Sequence, residues 1–84
     1  MKRLKLDLHP IAKDGERIEK ALQNGIREAM EKKAKTLEII PGKGSGKLKE
    51  RVLKFLQKRS IKSLYHRVEK DRNNSGRLFV HFKH

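Results

Sequence analysis

Asp7 and His9 stand two residues apart in the run Leu4-Lys5-Leu6-Asp7-Leu8-His9. If that run is a strand, both side chains project from one face with Cα atoms ~6.5 Å apart. An imidazole beside a carboxylate can take or give a proton in phosphodiester cleavage, the carboxylate fixing its tautomer. Asp and His at a strand end also serve as hydrogen-bonded turn formers, and on spacing alone that reading stands ahead of catalysis.

The second chemical feature is Gly42-Lys43-Gly44-Ser45-Gly46-Lys47, set between an apolar run and a helical pattern. In that context backbone N–H groups and a helix dipole can hold phosphate. The loop is not a Walker A motif: its first and last glycines, Gly42 and Gly46, are one residue too close, and Leu48 follows Lys47 where Ser or Thr would meet magnesium. The dinucleotide fingerprint fails too, for want of its spacing and its acidic ribose anchor, so no nucleotide cofactor is expected. What remains is a basic phosphate contact, in which Gly42, Gly44, Ser45 and Gly46 shape the loop and Lys43, Lys47, Lys49 and Arg51 follow a nucleic-acid backbone. A βα turn with no ligand is the competing reading, although glycines alternating with lysines exceed what a turn requires. His66, His81 and His84 lie on or after the last strands without the spacing of a metal triad, which points to solvated or nucleic-acid-facing roles. Among the aromatic side chains, Phe55 and Phe82 fall in core patterns, while Tyr65 and Phe79 are candidates for an exposed sheet face.

The elements that must position these groups follow from hydrophobic periodicity. Leu4, Leu6 and Leu8 alternate with Lys5, Asp7 and His9 as in a half-buried strand, with His9 held extended by Pro10. Over residues 14–35 the apolar positions Ile18, Ala21, Leu22, Ile26, Ala29 and Met30 recur at helical spacing, with Asp14 as N-cap and Gly25 as a weak point. Thr36-Leu37-Glu38-Ile39-Ile40 reads as a short buried strand closed by Pro41. A second helix is expected over residues 47–59, then strands over residues 61–68 and 78–82, joined by the turn-forming segment 71–76. The expected architecture is α/β: a two-layer βαβαββ sandwich whose four-stranded mixed sheet carries two helices on one face and leaves the other open. If the first two strands are neighbours, Asp7, His9 and the glycine loop converge at their carboxyl ends, where open α/β sheets tend to bind ligands.

The chain has 84 residues, enough for one domain over residues 1–84 with its core at about residues 4–82. It has no cysteine, which excludes disulfides, thiol chemistry and Cys-based zinc sites. With 23 Lys and Arg against 10 Asp and Glu, the formal charge is +13. The excess is uneven: residues 1–40 hold 10 basic and 7 acidic side chains, residues 41–84 hold 13 and 3. Such a balance attracts polyanions and repels copies of the chain, so DNA or RNA is the expected partner and the free protein is expected to be monomeric. With no apolar stretch of membrane-spanning length and no signal-peptide pattern, no membrane association is expected and a cytoplasmic location follows by default.

Leu6-Asp7-Leu8-His9, followed after one helix by Ile39-Ile40-Pro41-Gly42-Lys43-Gly44-Ser45-Gly46 and a second helix, resembles the small MutS-related (Smr) domain, whose signatures read LDLHG and HGxGxG. The resemblance runs from Leu4 to Phe82 and matches a stand-alone member of the family. It implies a fold similar to the C-terminal domain of translation initiation factor three, binding to DNA or RNA, a link to mismatch repair or recombination, and in several members a nicking endonuclease. By position, Asp7 and His9 match the first signature, and Gly42, Gly44 and Gly46 the second. Pro10 stands where the first has Gly, and Pro41 stands where the second has His, which removes a proton-transferring side chain from the site. Three functions are therefore in view: a binding module for the nucleic-acid backbone, a nicking endonuclease acting through Asp7 and His9, and a module that docks an acidic protein. The endonuclease reading leaves room for a divalent cation, for which no dedicated ligand set stands out.

Overall fold

A computed structural model describes residues 3–11, 13–41, 46–71 and 77–82. Strand β1 (Arg3–Asp7) alternates as its sequence requires, and Leu8 beyond it is fully buried. A single 3-10 turn (His9–Ile11) follows, closed by Ile11 N–H donating to the Leu8 carbonyl at 3.1 Å. His9 therefore opens a turn instead of extending the strand. Pro10, with φ fixed near −65°, suits a 3-10 turn as well as an extended segment, and the two-residue strand spacing expected to align His9 with Asp7 does not apply.

Helix α1 (Gly15–Glu31) begins where Asp14 Oδ1 accepts from the backbone N–H of Glu16 and Arg17. This is an N-cap satisfying two of the amides that a helix start leaves without partners. Ile18, Leu22, Ile26 and Ala29 form its buried stripe. Gly25 lies inside the helix where α1 crosses β1: a Cβ built there would lie 3.0 Å from Leu6 Cδ2, a close approach that the missing side chain avoids. The helix ends earlier than residue 35. Lys33 takes a left-handed conformation at φ 53°, its N–H donates to Met30 O at 3.2 Å, and Ala34 N–H donates to Ala29 O at 2.8 Å. That pair of bonds is a Schellman C-cap, and it buries Ala34 while turning the chain into β2 (Thr36–Ile40).

Helix α2 (Lys47–Leu56) is followed by one further helical turn, α3 (Arg59–Lys62), where the expected strand over residues 61–68 was to begin. Ile61 and Leu64 both pack against the core from positions three apart, which a turn of helix achieves and a strand cannot. Tyr65 is core, not open face: it is buried, its hydroxyl donates to the Leu56 carbonyl at 2.6 Å, and burial pushes its pKa up. The last strands are therefore β3 (Arg67–Lys70) and β4 (Leu78–His81), with Phe82 N–H still reaching Lys35 O at 3.0 Å.

The four strands lie in the order β1-β2-β4-β3, with β1 and β2 parallel and both other pairings antiparallel. One face gathers Leu6, Leu37, Ile39, Leu78 and Val80 into a single core with α1 and with Val52, Phe55 and Leu56 of α2. The mixed sheet with its main helices on one face is the expected fold, enlarged by α3.

Lys33 is the position at which the sequence and its required backbone disagree most, since a left-handed conformation costs a non-glycine residue ~1–2 kcal/mol. Lys33→Gly should raise stability by about 0.5–1 kcal/mol after the extra unfolded-state entropy of glycine is deducted. Urea denaturation checks this, and a lower midpoint for the variant would refute the C-cap assignment.

Candidate functional site

The parallel pairing of β1 with β2 brings their carboxyl ends together. Asp7 is in register with Ile40, and Leu8 N–H donates to Ile40 O at 2.9 Å. Asp7 is exposed, whereas Pro41, just past β2, is buried. Gly42, Lys43, Gly44, Ser45 and the side chain of His9 lie outside the described residues.

The chain is described again from Gly46, whose φ of 87° is the left-handed conformation that glycine adopts without strain. Gly46 precedes α2, and no side chain caps the helix start. Among the described residues the first-turn amides have no side-chain acceptor, and the positive end of the helix dipole favours anions, offset in part by Glu50 in the same turn. Lys47, Arg51 and Lys54 are exposed and Lys49 is half-buried. Among the described residues these four cations make no ion pair, unlike Lys58 further along, which meets Glu19 of α1 at 3.0 Å. Arg51 leans across to α1, its guanidinium lying where a side chain on Gly15 would have to go. The groove between the helices there is lined by Glu16 and Glu19 as well as by Arg51, Lys54 and Lys58. Of the expected phosphate contacts, Lys47 and Arg51 thus lie on one side of α2, lining a groove with Ile18 of α1, and Lys49 points to the other side.

The open face of the sheet holds a network that no local spacing announces. His81 is partly exposed but not isolated: Nδ1 is 3.2 Å from Thr36 Oγ1 and Nε2 is 2.8 Å from Glu69 Oε1. The chain of hydroxyl, imidazole and carboxylate links β2, β4 and β3. It is satisfied with the imidazole neutral, the Thr36 hydroxyl donating to Nδ1, and equally with it protonated, the hydroxyl accepting. Glu38 is buried to 6 % exposure yet carries a carboxylate, and Arg77 answers it at 3.6 Å while also reaching Asp71 at 3.9 Å. Alternation along residues 78–82 already puts Phe79 and His81 on the side opposite Leu78 and Val80. Their partners come from strands that are distant in sequence and needed the register to be found.

Among the described residues no cluster of three or more His, Asp or Glu side chains is arranged to hold a metal ion, and no helix is long and apolar enough to cross a membrane. The Smr domain family model matches residues 6–83. No curated protein and no solved structure matches the chain.

The hydrogen bonds of His81 generate a stability test. Thr36→Val and Glu69→Gln should each destabilise the fold by about 0.5–1.5 kcal/mol, and the double variant should lose less than the sum, because both act through one imidazole. Additive losses in chemical denaturation would show that the two bonds are independent.

Proposed function

The chain belongs to the Smr domain family, whose members bind nucleic acid and in some cases nick it, and from that premise we propose that this protein grips the phosphate backbone of DNA or RNA at the carboxyl ends of β1 and β2. The observation that carries the reading is the set of cations on α2: Lys47, Arg51 and Lys54 share one side of the helix, Lys49 stands on the other, and among the described residues they make no ion pair and follow a helix start with no side-chain cap. A helix N-terminus and unpaired lysines both favour phosphate, and neither distinguishes one base from another. The glycine loop of Gly42, Lys43, Gly44 and Ser45 joins this surface by its place in the chain, between β2 and α2. The charge of the second half of the chain supplies the long-range attraction. Asp7 and His9 adjoin the same strand end and are the residues through which cleavage would run. Pro41 stands where the second Smr signature has His and has no proton to give, so binding is the primary activity in this reading.

Affinity for duplex DNA should fall linearly in logarithm with salt, with a slope of about −0.9 for each phosphate neutralised. If the four α2 cations each take one phosphate, the slope is about −3.6, and a fourfold rise in salt costs on the order of a hundredfold in affinity. Replacing Lys47 and Lys49 by Gln should reduce the slope by about 2, as anisotropy titrations at several salt concentrations would show. A flat salt response would contradict backbone binding and favour an acidic protein partner.

The chemistry is tested separately. Purified protein incubated with supercoiled plasmid and with structured RNA, with and without magnesium, should bind both without cutting beyond the level of a His9→Ala variant. Nicking by the wild type that His9→Ala abolishes would replace the binding reading with that of an endonuclease. A gain of nicking in Pro41→His would identify the proline as the lesion.

A further inference from the structure

The amino-terminal end of β1, away from the strand ends that hold Asp7, borders a second surface on the open face of the sheet. Register sets Arg3, Thr36, His81 and Arg67 in one row across all four strands, and Lys5, Glu38, Phe79 and Glu69 in the next. The guanidinium of Arg3 lies 5.5 Å from the centre of the Phe79 ring. The two carboxylates of these rows are already engaged, Glu38 with Arg77 and Glu69 with His81. Arg3, Lys5 and Arg67 make no ion pair among the described residues. The strip is therefore basic, with an aromatic ring at its middle.

Phe79 is an unusual occupant of this face. Leu78 and Val80 already supply the core contacts of β4 from the other side, and Phe79 is half-buried among polar neighbours. An aromatic ring under a guanidinium, flanked by unpaired cations on a rigid sheet, is suited to a flat π-system carrying negative charge on either side. A nucleobase between two phosphates has that form. In a duplex the faces of the bases are hidden by stacking, so only an unpaired base can use such a platform. His81, in the row beside it, bridges Thr36 and Glu69 by hydrogen bonds across three strands.

We propose that this strip binds single-stranded nucleic acid, one base stacking on Phe79 and Arg3 while Lys5 and Arg67 meet the flanking phosphates. The inference rests on the reading of the chain as a nucleic-acid-binding domain. It adds a second surface, and with it a means of telling unpaired from paired strands. The combination suits a substrate with a junction between the two, the duplex held at the α2 side and the single strand on the sheet.

The test compares a thymidine oligonucleotide with a duplex of equal length by anisotropy, using the whole chain. Phe79→Ala should weaken binding to the single strand by about tenfold, the loss typical of one stacked base, and leave duplex affinity unchanged. Phe79→Leu, which keeps most of the volume and removes the ring, should reproduce that loss and guards against an unfolded alanine variant. Arg67→Gln should weaken the single strand and lower its salt slope by about 0.7. Equal losses on both polymers, or single-strand affinity untouched in Phe79→Leu, would overturn the inference while leaving backbone binding at α2 in place. A wild type that binds neither polymer would overturn both readings, and capture of polyglutamate in their stead would assign the strip to an acidic peptide.

Discussion

The parallel pairing of β1 with β2 is the constraint on which the rest of the molecule depends. Residues of β1 meet those of β2 one for one from Arg3 with Thr36 to Asp7 with Ile40. A slip by one residue would turn Leu4 and Leu6 outward and Lys5 inward, so burial of the leucines holds the register. Parallel neighbours cannot be joined by a hairpin and need a crossover, which α1 supplies. Gly25 of that crossover faces β1, where a Cβ would lie 3.0 Å from Leu6 Cδ2. The consequence for function is positional. The two strands end side by side, and the segments leaving them, one through His9 and Pro10 and one through Pro41 and the glycine loop, start from adjacent points.

Electrostatics divides the molecule differently from packing. The ion pairs among the described residues, such as Asp14 with Arg17, Glu28 with Lys32 and Glu19 with Lys58, are exposed contacts of the kind that contribute ~0–1 kcal/mol each. They matter less for stability than for which cations they leave over. The acidic residues concentrate in the first 40 positions, and where they meet a base from the second half, as at Glu19 and Lys58, they consume it. The cations at the start of α2 and along the first rows of the open face are the remainder. Glu38 is the exception that belongs to the fold: its carboxylate, at 6 % exposure, is paired with Arg77 at 3.6 Å.

Legibility from sequence followed the strength of the periodic signal. β1, β2, β4, α1 and α2 were readable because each places its apolar residues on a clean two-residue or helical period. Asp14 was readable as a cap because its side chain acts on amides within three residues of it. The segment after α2 was not, since Ile61, Leu64, Tyr65 and Val68 suit a strand by composition, and only the position of the core shows that Ile61 and Leu64 reach it from a helical turn. The end of α1 was missed for a related reason. Lys33 has no local preference for a left-handed backbone, and it adopts one because Ala34 is drawn into the core. At the candidate site, the meeting of the strand ends was legible from the motifs. That Arg51 would lean onto α1, and that Pro10 would fold His9 into a turn, was not.

By itself the sequence determined the types of β1, β2, β4, α1 and α2, the sign and uneven distribution of charge, the glycine loop between β2 and α2, and membership in a family of nucleic-acid-binding domains. These are encoded in neighbouring residues, where spacing and composition act directly. Only the tertiary structure decided which side chains share the open face: that His81 is held between Thr36 and Glu69, that Glu38 is answered by Arg77, and that Phe79 lies under Arg3. The physical reason is that cross-strand neighbours are set by register. Register comes from burying the opposite face, where residues as far apart as Leu4 and Val80 must fit one core before any partner on the exposed side is defined.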